Sequence, residues 1–417
     1  MSGTSQPRIL IQNGNFELDN LGELAMLQAA IDRIRRRLPD SHISVFTRQR
    51  DALIAVAPDA TPLPVEAQSH WELARSAYLW SRIVVPAVDS VLRRGFPRLY
   101  SELLRIKARS IASTDALFAS RFIVFTGGAY FNDVFPGQAW SSIERMRAAA
   151  GAGVPFAIMG QAFSHIRDTE LRRAAAEMIP QAKLISIRER LKSVSVLEEM
   201  GVDITSVCLT GDDAVGRAWH RRKAREGRGL GLSIRIAPYA GMHQREISEM
   251  SAAVRAAIGD IDCEVVPLPV CIVESVESAS DVTSLVRIMK DLPQRPLSPP
   301  MATTHDQLID LISECRIVVT GSYHCAVFAL SQGIPAVCIQ SSEYYDDKFK
   351  GLADRFGAGC DVVDRTHPDF PAVLGEAVTR SWGNAGTLRA QLLEAAREQV
   401  EAADRAYDRL CSMIASD

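Results

Sequence analysis

The chain alternates short, strongly apolar runs with longer runs of helical periodicity, and it does so twice. The first series begins with RILIQ (8–12) and the periodic run 22–38, and the second begins with LGLSIRIA (230–237) after a polar, glycine-flanked stretch. Strands that are apolar at every position are buried on both faces, as in parallel sheets covered by helices. The pattern predicts an α/β protein with two Rossmann-like, doubly wound domains that face each other across a cleft.

The remaining runs extend both series and set the domain limits. In the first series we predict strands at 42–47, 121–131, 155–163 and 183–189, and helices at 143–153 and 191–201. In the second we predict strands at 263–270, 316–321, 336–340 and 360–364, and helices at 246–259, 285–292 and 305–315. The predicted organisation is an N-terminal domain (1–217) with a helical insertion at about 52–118, a linker (218–229), a C-terminal domain (230–384) and a final helix (385–417).

Composition excludes several classes of protein. Hydrophobic residues make up 47% and charged residues 23%, as in globular proteins. The net charge is −3, which argues against a broad nucleic-acid surface. The eight cysteines lack metal-site spacing and lie mostly in apolar runs, which predicts free buried thiols, no metal site and a reducing compartment. No signal-peptide pattern or long apolar stretch is present, so we expect a cytoplasmic protein.

Ligands of doubly wound sheets bind beyond the carboxyl ends of the strands, so the residues after each predicted strand are the candidate site. The first such loop is QNGNFELDNLGELAM (12–26), which is neither a dinucleotide fingerprint nor a P-loop. Asn20, Gly22 and the following helix N-terminus can present N–H groups to an anion. Alternatively, Asn20 is a helix cap and Glu23 a first-turn acid.

Two further loops of the first series carry polar residues. In FTGGAYFND (125–133), Gly127 and Gly128 permit a close approach of a ligand, or they reflect tight packing. A close approach would turn the polar side chains of this loop toward the cleft, namely Tyr130, Asn132 and Asp133. In MGQAFSHI (159–166), Gln161 follows a strand, and His165 is either a site residue or an ordinary surface histidine.

Three arginines lie at strand ends or within a strand. Arg188 and Arg190 occupy the strand-to-helix turn of SIRERLKS (186–193), where two guanidiniums can clamp a phosphate or carboxylate. A surface pair with Glu189 is the alternative. Arg235 lies inside the apolar run LSIRIAPY (232–239), where a charge needs an ion-pair partner, a cleft or an exposed sheet edge.

The most informative segment is 318–352. A strand ends at Gly321 and a helix begins near Ser322, which places Tyr323 and His324 in its first turn. A histidine at a helix N-terminus tends to remain neutral, which suits a base or hydrogen-bond donor, although a buried structural histidine is the alternative. Tyr345 and Lys348 follow on a predicted polar loop, where Lys348 can bind an anion or belong to a salt-bridged turn.

Six segments resemble the polysaccharide pyruvyltransferase family in the same order, over about residues 8–357. They are DNLGELAML, TGGAYFND, MGQAFSHI, ISIRERLKS with LEEMG, GDDA (211–214) and GSYHCAVFALSQGIPAVCI with YYDDKFKGL. The resemblance implies a GT-B-like fold and transfer of a pyruvyl unit from phosphoenolpyruvate to sugar hydroxyls. It implies no metal and no resident cofactor, with phosphoenolpyruvate as co-substrate, the N-terminal domain on the acceptor side and the C-terminal domain on the donor side.

The resemblance also implies residue roles. His324 is expected to be the acid/base, and Glu23 or Asp133 to orient the sugar hydroxyl. The expected donor-binding residues are Arg188, Arg190, Arg235, Ser322, Tyr323 and Lys348. The expected cleft-lining residues are Asn20, Gly22, Gly127, Gly128, Tyr130, Asn132, Gln161 and Tyr345.

Two departures from the family pattern leave alternatives open. The family often has Asp at the position of Glu23, and Arg at the position of Ser322. If that Arg holds the donor phosphate, another cation replaces it here, or the donor differs. The alternatives are a GT-B glycosyltransferase with a nucleotide-sugar donor and a non-catalytic sugar-binding protein. The expected partners are a small-molecule donor and a saccharide acceptor, and a lipid-linked acceptor would add peripheral membrane contact.

Overall fold

A computed structural model describes residues 6–65, 115–259, 261–272, 280–290, 292 and 302–416. In the N-terminal half the strands are β1 (Arg8–Gln12), β2 (His42–Phe46), β3 (Thr61–Leu63), β4 (Phe122–Phe125), β5 (Gly128–Phe131), β6 (Phe156–Phe163), β7 (Leu184–Ile187) and β8 (Cys208–Leu209). The helices are α1 (Leu21–Arg37), α2 (Arg50–Val56), α3 (Pro136–Gly151), α4 (Thr169–Met178), α5 (Ser193–Glu199) and α6 (Ala214–Arg221).

The C-terminal half repeats this arrangement. Its strands are β9 (Gly229–Ser233), β10 (Val265–Pro267), β11 (Cys315–Thr320), β12 (Ala336–Gln340) and β13 (Cys360–Asp364). Its helices are α7 (Ile247–Ile258), α8 (Asp281–Met289), α9 (His305–Ile312), α10 (Tyr323–Ser331), α11 (Glu343–Phe356) and α12 (Phe370–Ser416).

Each half is built on a parallel sheet. The strand order is β3-β2-β1-β4-β6-β7-β8 in the first sheet, with β5 beside β6, and β10-β9-β11-β12-β13 in the second. The central strands are apolar on both faces, and every residue of β6 is buried between helices. The predicted α/β class with two doubly wound parallel sheets is confirmed.

Three predicted boundaries differ from the structure. Residues 218–221 of the predicted linker belong to α6, because its apolar face packs against the protein core. The final helix begins at Phe370 rather than at 385, since Leu374, Ala377 and Val378 pack at helical spacing on the C-terminal half. The polar loop predicted after residue 342 is helix α11, which Ser342 caps by accepting the Tyr345 N–H. Of the predicted insertion at about 52–118, residues 66–114 lie outside the described residues.

The two halves meet at the carboxyl ends of their sheets. The loop before α1 reaches across, so that the Leu21 N–H donates to the Val270 carbonyl at 3.0 Å. Ion pairs join the N-terminal half to α11, among them the exposed pair Arg167–Glu343 at 2.9 Å and the half-buried pair Lys192–Asp347 at 3.6 Å. Helix α12 starts on the C-terminal half and ends on the N-terminal half, where Asp404 accepts from Arg33 at 3.2 Å. These contacts hold the strand ends of both sheets around one region.

The cysteines and the apolar character of the helices can be stated for all the described residues. All eight cysteines are free, and six of them are buried, as the apolar sequence context predicts. Among the described helices, none combines the length and apolar character needed to cross a membrane.

Candidate functional site

His324 lies where the two halves touch. Strand β11 ends at Thr320, Ser322 occupies the N-cap position of α10, and His324 follows in the first turn, as predicted. The imidazole is buried and packs directly on Gly22 of the opposite half, where an added Cβ would overlap the ring. The absence of a side chain at residue 22 therefore allows the N-terminus of α1 to approach His324.

Asp212 is the site residue that the sequence analysis did not single out. Its Oδ2 lies 3.2 Å from Arg188 Nη1 and 3.8 Å from His324 Nε2, and its side chain is 1% exposed. Its Oδ1 accepts the Ala214 N–H at 2.9 Å, which fixes the carboxylate at the start of α6. The available signal was a pair of carboxylates directly after β8, at the carboxyl edge of the sheet.

Arg188 and Lys348 bring positive charge to the same region. The Arg188 guanidinium stacks 4.3 Å from the Tyr323 ring centroid while it pairs with Asp212. Lys348 extends from α11, with Nζ 4.1 Å from the Tyr344 ring centroid and 5.4 Å from that of Tyr323. Burial and the charge of Arg188 lower the pKa of Lys348 well below its usual value, so a bound anion would favour its charged form.

His324 and Glu23 show opposed pKa shifts. Burial lowers the pKa of His324 to about 4, with Arg188 and Lys348 acting in the same direction and Asp212 opposing them. Burial raises the pKa of Glu23, whereas a hydrogen bond with Asn15 lowers it. Neither His324 Nε2 nor Glu23 Oε2 has a hydrogen-bond partner among the described residues. The site therefore holds a neutral imidazole, and the residue next to Gly22 carries a carboxyl group shifted toward its protonated form.

His324, Asp212, Arg188 and Lys348 form the cluster at the centre of the candidate site. Gln161, near the end of β6, borders this cluster. Its side chain is fully buried, and neither polar atom of its amide has a hydrogen-bond partner among the described residues. Its carbonyl accepts the Arg188 N–H at 3.1 Å. Gly128 pairs with it in the sheet, and Gly127 lies so close to the Gly160 carbonyl that an added Cβ would come within 2.8 Å. Tight packing therefore accounts for Gly127, while the buried amide of Gln161 has no hydrogen-bond partner among the described residues.

Several predicted site residues have structural partners instead. Asn20 is the N-cap of α1 and accepts the Gly22 N–H at 2.9 Å. Asn132 accepts the Val134 N–H at 2.8 Å in a turn, and the buried Tyr130 donates its hydroxyl to the Thr126 carbonyl at 3.2 Å. Asp133 is exposed and accepts the Arg167 N–H at 2.7 Å. Each of these bonds organises a loop, and none of them reaches His324.

The other two predicted arginines also lie outside the cluster. Arg190 is 59% exposed and forms a bidentate pair with Asp354 of α11, which joins the halves. Arg235 is buried and paired with Asp281 at 3.2 Å, and its Nε donates to the Tyr239 hydroxyl at 2.8 Å. Tyr345 stacks on Tyr239, at 6.4 Å between ring centroids. These contacts support the C-terminal side of the site from outside.

Replacement of Gly22 by Ala tests the close contact with His324. The added methyl group overlaps a buried ring, so we expect Gly22→Ala to lower the free energy of unfolding by about 1–3 kcal/mol in urea titrations. Gly383→Ala is the matched control, because Gly383 also lies in a helix and has no atom within 4 Å of its added Cβ. The control should gain up to about 1 kcal/mol. Equal stability of the two variants would contradict this packing.

Solved structures of low sequence identity share the whole fold. A UDP-GlcNAc 2-epimerase from Neisseria meningitidis, bound to UDP-GlcNAc, aligns with a TM-score of 0.56 at 11% identity, over 98% of this chain and 100% of that chain. A glycosyltransferase from Rickettsia africae aligns with a TM-score of 0.54 at 9% identity, over 99% and 100% of the two chains. The predicted GT-B-like fold is confirmed.

Sequence comparison identifies the family. Among curated proteins, none matches this sequence at a significant level. The family model described as polysaccharide pyruvyl transferase matches residues 20–343, which include Glu23, Arg188, Asp212 and His324. The chain therefore belongs to the polysaccharide pyruvyl transferase family.

Proposed function

We propose that this transferase moves a pyruvyl group from phosphoenolpyruvate to hydroxyls of a sugar in a polysaccharide, glycolipid or similar glycoside. The observation that carries the proposal is the cluster of His324, Asp212 and Arg188 where the two halves meet, with Lys348 over the Tyr323 ring and Glu23 next to Gly22. Burial shifts the pKa values of His324 and Glu23 in opposite directions. Environments that push the pKa values of two neighbouring groups apart create an acid and a base at one pH. Formation of a ketal from an enol phosphate needs an acid, which protonates the methylene carbon, and a base, which accepts the proton of the sugar hydroxyl.

In the first step the sugar hydroxyl adds to the enol. Neutral His324 accepts the hydroxyl proton while the sugar oxygen bonds to C2 of phosphoenolpyruvate. Glu23, in its carboxyl form, donates its proton to the methylene carbon, which becomes a methyl group. The step leaves a carboxylate and an imidazolium side by side, and Asp212 stabilises the imidazolium from 3.8 Å.

In the second step phosphate leaves and the ketal closes. His324 returns its proton to the bridging oxygen as the bond between C2 and that oxygen breaks. The second sugar hydroxyl bonds to C2 and gives its proton to Glu23, which restores both groups to their starting states. The products are the cyclic ketal and inorganic phosphate.

The donor carries a phosphate and a carboxylate, so its binding needs positive charge in a buried place. Arg188 and Lys348 supply that charge, and Arg188 Nη2 has no hydrogen-bond partner among the described residues. Ser322 occupies the position at which the family often has Arg. Lys348 approaches the same helix N-terminus over the Tyr323 ring and takes the role of that cation.

Glycosyl transfer from a nucleotide sugar is the second candidate. The structurally similar epimerase was solved with UDP-GlcNAc, and the segment 324–339 has the helix–glycine–proline–strand form of nucleotide-sugar-binding halves. In either case the acceptor is a saccharide. A lipid-linked acceptor would bring the protein to a membrane surface.

Donor binding separates the two candidates. Phosphoenolpyruvate at 100 times its dissociation constant should stabilise the protein by about 2.7 kcal/mol, and UDP-, GDP- and CMP-sugars should not. Lys348→Met should abolish that shift in melting temperature. Lys350→Met is the matched control on the same helix, because Lys350 is exposed and pairs only with Asp346 among the described residues. A shift with a nucleotide sugar and none with phosphoenolpyruvate would overturn the proposal in favour of glycosyl transfer.

A further inference from the structure

The loop that carries Asp212 packs against the C-terminal helix α12. Gly211 has a left-handed backbone (φ 78°), and an added Cβ there would overlap the Gln399 amide of α12. Gln399 is buried, so α12 packs directly against the residue that precedes Asp212. A side chain at residue 211 would strain the backbone and also displace this contact.

Asp213 anchors the same loop on its rear side. Arg33 Nη1 donates to Asp213 Oδ1 and to the Asp213 carbonyl, both at 3.1 Å. The Tyr407 hydroxyl of α12 donates to Asp213 Oδ2 at 3.0 Å. The side chains of Arg33 and Asp213 are 4% and 1% exposed. Two helices distant in sequence therefore fix Asp213, with two hydrogen bonds to its buried carboxylate and one to its backbone carbonyl.

Gly216 makes room for this arrangement. It lies inside α6, where glycine is less favourable than alanine by about 0.5–1 kcal/mol. An added Cβ would come within 2.8 Å of Arg33 Nη2. Helix α6 therefore contains a residue of low helix propensity at the point where the Arg33 guanidinium contacts Asp213.

Adjacent carboxylates point in opposite directions here. Asp212 contacts Arg188 and His324 in the site, while Asp213 contacts Arg33 and Tyr407 behind it. The two residues share one short turn before α6, so a shift of Asp213 moves Asp212. Buried ion pairs contribute little net stability compared with apolar residues of the same volume, and fixed geometry is their better-attested use.

We propose that Tyr407 and Arg33, acting through Asp213, are positioning residues that hold the Asp212 carboxylate against His324 and Arg188. Helix α12 begins on the C-terminal half, so it links the seating of the two halves to the placement of this carboxylate. The kcat measurements that test this proposal rest on the proposed function, whereas the ¹⁵N chemical shifts of His324 in the ligand-free protein do not.

Tyr407→Phe is the most selective variant, because it removes only the hydroxyl and keeps a buried ring. We expect kcat to fall about tenfold with KM within twofold, since small displacements of site groups act mainly on the chemical step. Arg37→Gln is the matched control. It removes the ion pair of Arg37 with Asp408 at 2.5 Å and its contacts with Asp404, which join the same two helices, and none of these contacts reaches Asp213. The control should keep kcat within twofold.

Two readouts distinguish positioning from a general loss of structure. In the ligand-free protein, the imidazole ¹⁵N chemical shifts of His324 should change in Tyr407→Phe and stay constant in Arg37→Gln. In a double-mutant cycle, Tyr407→Phe should lower kcat less in an Asp212→Asn background than in the wild type, because both changes act on one carboxylate.

The possible outcomes separate this proposal from the proposed function. Unchanged His324 shifts in Tyr407→Phe, or fully additive losses in the cycle, would overturn the positioning role even if phosphoenolpyruvate is turned over normally. A wild type that ignores phosphoenolpyruvate and uses a nucleotide sugar would overturn the proposed function alone. The shifts of His324 and the same cycle, run with that sugar, would still decide the role of Tyr407.

Discussion

His324→Gln is expected to lower kcat with phosphoenolpyruvate by about 10²–10⁴-fold, the usual contribution of a positioned acid/base. The glutamine amide fills similar space but does not accept the sugar hydroxyl proton or return it to the leaving phosphate. The measurement is release of inorganic phosphate with a saccharide acceptor present. Donor binding, followed by thermal stability, should change much less, because Arg188 and Lys348 remain in place.

The same variant should gain stability in acid. Burial lowers the pKa of His324 from 6.5 to about 4, so the unfolded chain binds a proton that the folded protein resists between these values. The folded state therefore loses on the order of 3 kcal/mol as pH falls from 6.5 to 4, and the loss is absent above 6.5. His324→Gln removes this contribution. Burial also lowers the pKa of His305 to about 4, so the free energy of unfolding of the variant should still fall somewhat as pH decreases from 6.5 to 4.

His165→Gln is the matched control for phosphate release. His165 also follows a strand of the sheet, but it is 50% exposed and lies 3.5 Å from Glu199. We expect normal phosphate release. Normal turnover in His324→Gln, or a similar loss in the His165 variant, would contradict the role given to His324.

Local sequence patterns predicted the sheets well because their cause is local. A short run of consecutive apolar residues is favoured as a strand covered on both faces, and the central parts of β6 (FAIM) and β11 (IVV) follow that rule. The start of α10 was predictable for a similar reason, because a strand, Gly321 and the N-cap residue Ser322 follow one another in the sequence. Helix α11 was missed because polar residues dominate its sequence, although its buried residues Tyr345, Phe349, Leu352 and Phe356 recur at helical spacing.

The composition of the site depended on contacts that no local pattern records. His324 was identifiable by position, but its packing on Gly22 joins opposite halves of the chain. Arg188 and Arg190 are almost adjacent in sequence and looked equivalent. The structure gives one a buried partner in Asp212 and the other an exposed partner in Asp354. Which arginine enters the cluster depends on the direction of each side chain at the turn and on carboxylates distant in sequence.

Arg188→Met is expected to lower the free energy of unfolding by about 3–5 kcal/mol, because it leaves the Asp212 carboxylate buried without its ion-pair partner. Methionine fills much of the same volume, so the loss reports charge rather than a cavity. The measurement is urea unfolding at neutral pH, followed by donor titration of the folded fraction. Donor binding should also be lost, since Arg188 is one of two cations assigned to the donor.

Arg188→Met combined with Asp212→Asn separates the structural and functional roles of the arginine. Removal of both charges should restore most of the lost stability, because no uncompensated carboxylate remains. Donor binding should not return, since the phosphate still lacks a partner. Arg190→Met is the matched control at the same turn. Its exposed pair with Asp354 should be worth at most about 1 kcal/mol, and donor binding should persist.

The double variant decides between two interpretations of the buried pair. If Arg188 served only to neutralise Asp212, the double variant would regain stability and donor binding together, and the donor site would have to lie elsewhere. If stability returns without donor binding, Arg188 has a direct role toward the anion. We expect the second result, because Arg188 Nη2 has no hydrogen-bond partner among the described residues although the guanidinium is buried. A buried donor without a partner is unfavourable unless a ligand completes it.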